Sequence, residues 1–161
     1  VAADRYCYAY WNTYGVPVAT IRPFNMFGPR HTYDVIPKFI DLALKHKPLT
    51  IYGSGEQSRD FLYVDDAVKA FLVMGCNKKA IGQTINFGTE KDYSINYVAE
   101  KIIEFSGSKS EIKHVEKRLS EVDKLNGSFK KANKLFGWKP EVPFDEGLKK
   151  NVEWAEQHSS E

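Results

Sequence analysis

The run Val16 to Ile21 constrains this chain most. It is short, apolar and rich in β-branched residues, and Gly15 and Pro23 bound it. A run without polar alternation reads as a strand buried on both faces, the habit of parallel sheets covered by helices. Before it, Ala2, Ala3, Tyr6, Cys7, Tyr10, Trp11 and Tyr14 recur at helical spacing, with polar Asp4, Arg5 and Asn12 between them. Gly15 then stands where a helix ends, as a C′ residue. A helix feeding a buried strand is a unit of α/β architecture.

The alternation continues along the chain. Arg22 to Arg30 (R-P-F-N-M-F-G-P-R) reads as a loop stiffened by Pro23 and Pro29. A helix is expected from Val35 to His46, with Ile36, Phe39, Ile40, Ala43 and Leu44 on one face. Leu49 to Tyr52 is a short strand, Gly53 to Gly55 a turn, and Arg59 to Val64 a second short strand. Asp65 and Asp66 open a helix to about Met74, in the position of N-caps. Thr84 to Phe87 is a strand, Ser94 starts a helix through Phe105, and Glu111 to Glu116 is a further strand. Helices from Ser128 to Phe136 and from Pro143 to Gln157 complete the order, with fraying expected from His158. The strands are too few for a full doubly wound sheet. No Gly-x-Gly-x-x-Gly follows a strand, so the chain lacks a dinucleotide fingerprint of its own.

Bulk properties narrow the function classes. The 161 residues are 42% hydrophobic and 27% charged, which reads as one globular domain. A net charge of +2, from 23 basic and 21 acidic side chains, gives no reason to expect nucleic acid. No apolar run approaches a membrane span, so no membrane partner is expected. The two cysteines, Cys7 and Cys76, lie far apart without metal-ligand spacing, and the N-terminus is charged and aromatic rather than signal-like. A reduced, cytoplasmic setting fits these features. The chain opens inside a helical pattern without Met or an N-cap, and the expectation is a truncated domain.

Three segments stand out together: R-P-F-N-M-F-G-P-R at 22–30, I-Y-G-S-G-E-Q-S-R-D-F-L-Y-V-D-D at 51–66, and N-F-G-T at 86–89 before a Ser-initiated helix. In that order and spacing, from residue 1 to about 156, the chain resembles the extended short-chain dehydrogenase/reductases, the NAD-dependent epimerase/dehydratase family. UDP-glucose 4-epimerase and dTDP-glucose 4,6-dehydratase are members. The resemblance implies an α/β fold, the C-terminal part of an NAD(P)-binding Rossmann-like architecture. Residues 1–161 would form a single truncated domain, with 1–34 the end of the Rossmann portion and 35–157 mostly the substrate-binding subdomain. In the family a Tyr-x-x-x-Lys pair precedes a stretch like V-A-A-D-R-Y-C-Y-A-Y-W. Residue 1 is therefore expected just past that Lys, with the catalytic Tyr, Lys and glycine-rich loop absent. No catalytic residue and no metal site are expected, and the chain alone is not expected to turn over substrate or retain NAD.

The resemblance also assigns binding roles that suit the residue types. Asn25 stands at the carboxyl end of the first strand, where ligands of open α/β sheets sit. It offers donor and acceptor, and the family implies contact with the nucleotide sugar; closing a turn is the plainer alternative. The Pro23–Phe24 backbone would lie near the nicotinamide. Arg59 carries a guanidinium fork suited to a diphosphate, against the alternative of a surface pair with Asp60 or Glu56. Arg118, in K-R-L-S-E-V-D-K-L, looks like the family's R-x-G-D/E-V and would be a second diphosphate clamp, although Leu119 and Ser120 replace the usual glycine or proline. Glu121 would reach a ribose hydroxyl. Tyr52 and Gly53 would border the base, with Ile36, Pro37 and Phe39 as the facing wall. Ordinary core is the stronger reading for Ile36 and Phe39. His31 follows the loop where it could touch phosphate, but a lone His reads more readily as a polar surface residue; Trp138 reads as a structural anchor and the Lys-rich stretch 124–134 as a solvated helix face.

These expectations converge on a nucleotide-sugar-binding fragment. The parent would transiently oxidise C4 of a UDP- or dTDP-hexose with NAD, 4-epimerisation being favoured over 4,6-dehydration. The alternative is a stand-alone, non-catalytic nucleotide-sugar-binding or interaction module. Expected partners are a nucleotide-diphosphate sugar, an N-terminal Rossmann half, and further copies of the chain through exposed apolar surface.

Overall fold

The computed structural model describes residues 2–158. In chain order the elements are α1 (Ala2–Tyr14), β1 (Thr20–Pro23), β2 (Asn25–Phe27), α2 (Val35–Leu44), β3 (Leu49–Tyr52), β4 (Ser58–Arg59), β5 (Phe61–Tyr63) and α3 (Val64–Cys76). A short 3₁₀ turn (Lys78–Ala80) leads to β6 (Thr84–Phe87), β7 (Tyr93–Ser94), α4 (Ile95–Phe105), β8 (Ile112–Val115), β9 (Lys124–Leu125), α5 (Lys130–Phe136) and α6 (Phe144–His158). Of the tail expected to fray from His158, that residue still ends α6, and the rest lies outside the described residues.

The α/β class is as expected, and the pairings are mostly parallel: β1 with β6, β2 with β5, β3 with β8. A small sheet joins β4 to β7 antiparallel and to β9 parallel. α1 ends at Gly15, whose φ is 68° and whose N–H donates to Trp11 O at 3.0 Å. The strand expected over Val16 to Ile21 begins only at Thr20. Pro17 lacks a donor, and Val18 N–H turns back onto Val16 O at 2.8 Å, so the chain before Ala19 is irregular. Pro23 is admitted because it closes the strand; the next donor, Phe24 N–H, reaches Phe87 O at 2.9 Å.

Two other segments differ from the sequence reading. The expected loop 22–30 contains β2, because β5 supplies a parallel partner that no local signal announces. The expected strand from Arg59 to Val64 is divided at Asp60 into β4 and β5, which belong to different sheets. The Asp pair at 65–66 does not cap α3: Tyr63 occupies the N-cap position. Asp66 is fully buried, and its Oδ2 accepts the N–H groups of Glu141 and Val142 at 2.8 and 2.9 Å. The carboxylate ties the segment before α6 to α3. The Lys-rich stretch is no single helix face, since Lys124 lies in β9 and α5 begins at Lys130.

Two cores hold the elements. One packs α2, α4 and α6 around β3 and the aromatic group Phe27, Phe61 and Phe144. The other packs α3 and α5 on the β1–β6 pair, with Leu62, Ile85, Phe87 and Trp138 at its centre. Trp138 meets Phe87 edge-on at 4.8 Å, the anchoring role expected of it. Ser94 caps α4, its Oγ accepting Tyr97 N–H at 3.2 Å.

Candidate functional site

The carboxyl ends of β2 and β3, the first turn of α2 and the segment after β8 enclose a cleft of about 440 Å³. The local patterns explain what faces it. β3 alternates, so Leu49 and Ile51 enter the core while Thr50 and Tyr52 look outward. On α2, Ile36 and Phe39 are buried and floor the cleft, while Lys38 rises from its edge. Pro37 is not part of the lining.

Among the substrate-side residues expected from sequence, Asn25, Tyr52, Arg59, Arg118 and Glu121 all line this cleft. Asn25 Nδ2 donates to Asp60 O at 2.7 Å, which commits its donor end to the protein and leaves the amide oxygen as an acceptor for a ligand hydroxyl. Arg59 donates through Nη1 to Ser58 O at 2.8 Å, and its Nη2 stands 3.9 Å from Glu121 Oε1. Its carboxylate neighbour is therefore Glu121, whereas the Asp60 carboxylate turns into the interior.

Glu121 carries an unmet demand. Oε1 accepts weakly from Gln57 Nε2 at 3.5 Å, but Oε2 is buried without a partner. A buried acceptor left unpaired costs about 1–3 kcal/mol, and a ligand hydroxyl would remove that cost. Gln57 Nε2 also donates to Tyr52 O at 2.8 Å, joining the Glu121 side to the Tyr52 side. The Arg118 guanidinium lies over the Tyr52 ring, 3.8 Å from its centroid. A hydrogen bond and the charge of Arg118, with Lys38 adding to it, hold the Tyr52 phenol below its usual range.

Pro23, Phe24 and Gly53 stand apart from this lining. Pro23 closes β1, and the Phe24 ring packs so closely on Gly127 that a Cβ there would fall 2.1 Å from it. Gly53 turns with φ 75°; its N–H goes to Val115 O and its carbonyl oxygen to His114 Nδ1, both at 2.9 Å. Its backbone groups are thus engaged within the protein rather than open to a base.

Several lining residues were not assigned to the site by the sequence reading: His31, Lys38, Thr50 and Gln57. His31, read as a surface residue, is half-buried, with Nε2 3.5 Å from Asp34 Oδ2 and Nδ1 buried without a partner. Thr50 was recoverable from the alternation of β3 and Gln57 from its place in the 51–66 motif. Among the described residues, no cluster of His, Cys, Asp and Glu could hold a metal ion, and no helix is long and apolar enough to cross a membrane. For a dinucleotide these residues provide no glycine cradle, and Phe24 N–H is already engaged with Phe87 O.

The cleft thus lies at strand carboxyl ends, where ligands of open α/β sheets sit, and gathers two arginines, a partnerless carboxylate oxygen and the half-buried Tyr52 ring. Residues 1–88 match the family model of the NAD dependent epimerase/dehydratase family, and the chain belongs to that family. It is 38% identical over 156 residues to UDP-glucuronic acid decarboxylase 1 of Xenopus tropicalis, covering 94% of this chain and 36% of that protein. UDP-glucose 4-epimerase of Thermotoga maritima, solved with UDP-glucose, superposes with a TM-score of 0.93 at 28% identity, over 98% of this chain and 52% of that one. dTDP-glucose 4,6-dehydratase of Bacillus anthracis, solved with NAD, superposes with a TM-score of 0.90 at 30% identity, over 99% of this chain and 51% of that one. The chain thus spans about a third to a half of the length of these relatives.

Proposed function

We propose that this chain forms the nucleotide-sugar side of an NAD-dependent sugar-nucleotide epimerase or dehydratase. The observation that carries the reading is the partnerless, buried Oε2 of Glu121 beside Arg59, in one cleft with Arg118 and Tyr52. Arg59 and Arg118 supply donors for a diphosphate. Glu121 supplies an acceptor for ribose hydroxyls, Tyr52 an apolar face for a pyrimidine, and the Asn25 amide oxygen an acceptor toward the sugar. Binding the diphosphate loosens the Arg59–Glu121 pair and frees the carboxylate for the ribose, so the two contacts form together.

The whole protein would oxidise C4 of a UDP- or dTDP-hexose transiently, NAD taking the hydride from C4 and returning it. We put 4-epimerisation ahead of 4,6-dehydration. The name of the Xenopus relative adds decarboxylation as a third outcome of the same family. In this reading the acid/base Tyr, its Lys and the dinucleotide cradle belong to the part of the relatives' length that this chain does not span. The Pro23–Phe24 backbone would approach the nicotinamide. This chain's own residues bind and orient the nucleotide sugar, and Ile36 and Phe39 keep water from the cleft floor.

The exposed tyrosines 6, 10 and 14, one turn apart on α1, suit a second copy of the chain, and the setting proposed is cytoplasmic. Amide chemical-shift mapping with UDP and with dTDP tests the binding reading. Shifts should cluster at Asn25, Tyr52, Arg59 and Glu121; shifts elsewhere, or none, would sink it.

A further inference from the structure

We infer that Asp60 is a positioning residue for this site: its carboxylate clamps the arm 116–127, which carries Arg118 and Glu121, to the strand end that carries Asn25. This inference rests on the nucleotide-sugar reading above for its ligand, though not for its geometry.

Besides Asp60, Asp92 also holds the arm, accepting from Asn126 Nδ2 and pairing with Lys124, both at 3.0 Å. From Glu116 to Asn126 its side chains are exposed apart from Glu121, and Leu119 is 98% exposed. Burial of apolar area therefore fixes almost nothing along it. Its attachments are polar. Ser58 N–H donates to Asp123 O and Asp60 N–H to Leu125 O, both at 2.8 Å, which is the β4–β9 pairing. Beyond β9, Gly127 N–H donates to Asp60 Oδ2 at 3.1 Å.

Asp60 itself is fully buried and has every part of its structure engaged. Its carboxylate accepts Thr89 N–H on both oxygens, at 2.9 and 3.0 Å, and Thr89 Oγ1–H on Oδ1 at 2.8 Å. Its carbonyl oxygen accepts Asn25 Nδ2 at 2.7 Å. One residue thus touches the arm, the loop after β6 and the ligand-facing amide of Asn25. The surroundings leave no slack. A Cβ on Gly88 would meet Gly127 O at 2.5 Å and Asp60 Oδ2 at 2.7 Å, and one on Gly127 would enter the Phe24 ring. Backbone must approach backbone here, which only glycine permits. Burial raises the Asp60 carboxyl above the usual carboxylate range, with the hydrogen bonds from Thr89 and Gly127 opposing it. The donors around it engage both carboxylate oxygens.

Asp60→Asn keeps the shape and replaces one acceptor oxygen with an NH₂ group that faces N–H donors. Hydrogen exchange of residues 117–127 should then accelerate about tenfold or more, while the α2 and α4 core amides stay protected. In the wild-type chain Arg118→Ala should weaken UDP by about tenfold or more; in the Asp60→Asn chain the same change should cost less than about twofold, because the arm is already released. Unchanged arm exchange, with an equal Arg118→Ala effect in both backgrounds, would overturn the inference. If Asp60→Asn does not fold, Thr89→Val removes a single hydrogen bond from the carboxylate, and arm exchange should still rise about threefold; no rise would overturn the inference. A wild-type chain that binds no UDP would end the nucleotide-sugar reading, and the exchange measurement would still decide the role of Asp60.

Discussion

Arg118→Ala isolates the outer wall of the cleft. The side chain is exposed and sits 3.8 Å from the Tyr52 ring centroid, so its loss opens no cavity and leaves no buried group unpaired. Global stability should therefore change little. Binding should change much more. A hydrogen bond to a charged group contributes about 1.5–3 kcal/mol, and about 1.4 kcal/mol is tenfold in Kd. UDP should bind about 10–100-fold more weakly to the variant. The Tyr52 phenol supplies an independent readout. It is held low first by its hydrogen bond with Arg118 and then by the charges of Arg118 and Lys38. In the variant its ultraviolet titration should move up toward the ordinary tyrosine value, without a full return because Lys38 remains. Calorimetry with UDP and dTDP checks the first outcome. Equal affinity in variant and wild type, with the phenol shifted as expected, would refute the diphosphate role while leaving the stacking geometry intact.

Other outcomes follow from the packing and the charges. Trp138→Ala removes an indole that is 5% exposed and packed on Phe87 and Phe129, which should cost about 3–5 kcal/mol in urea unfolding. Its indole N–H is buried without a partner, so the loss should fall toward the lower end; a loss under about 1 kcal/mol would contradict the second core. The Asp92 carboxyl is held below its usual range by Ser58 Oγ–H, then by Lys124, with burial opposing. A folded value below the unfolded one contributes stability that is present above the ordinary aspartate range and is lost as pH falls through the folded value. Acid below about pH 4 should therefore loosen the β4–β7–β9 sheet before the α2–α4 core. Asp92→Asn should flatten that dependence in pH-resolved hydrogen exchange, and an unaltered profile would refute the assignment.

Local signals predicted the helices well, because apolar spacing and caps are written in adjacent residues. Ser94 and Gly137 behave as their types suggest: one caps α4, and the other closes α5 in the left-handed region at φ 70°. The strands were harder. β2 sits inside a proline- and glycine-rich stretch and exists because Phe61 to Tyr63 lies beside it, a pairing no window of sequence contains. The break at Asp60 has the same origin, since the buried carboxylate answers donors from Thr89 and Gly127. Asp66 looks like a cap by position, yet its partners are Glu141 and Val142. In the cleft, Asn25, Tyr52 and Arg59 were legible because they lie in contiguous motifs. His31 and Lys38 were not, because only tertiary packing brings them to the same wall; Gln57 shares the 51–66 motif, but the role of its side chain as a bridge from Glu121 to Tyr52 O is set by the fold.

This chain by itself is expected to recognise a nucleoside diphosphate. Isothermal titration of the purified chain with UDP and with dTDP, without NAD, tests it most directly. At least one should bind at micromolar strength, about −8 kcal/mol, and Arg59→Met should weaken that binding at least about tenfold. Absence of heat with both nucleotides, or binding that ignores Arg59, would contradict it.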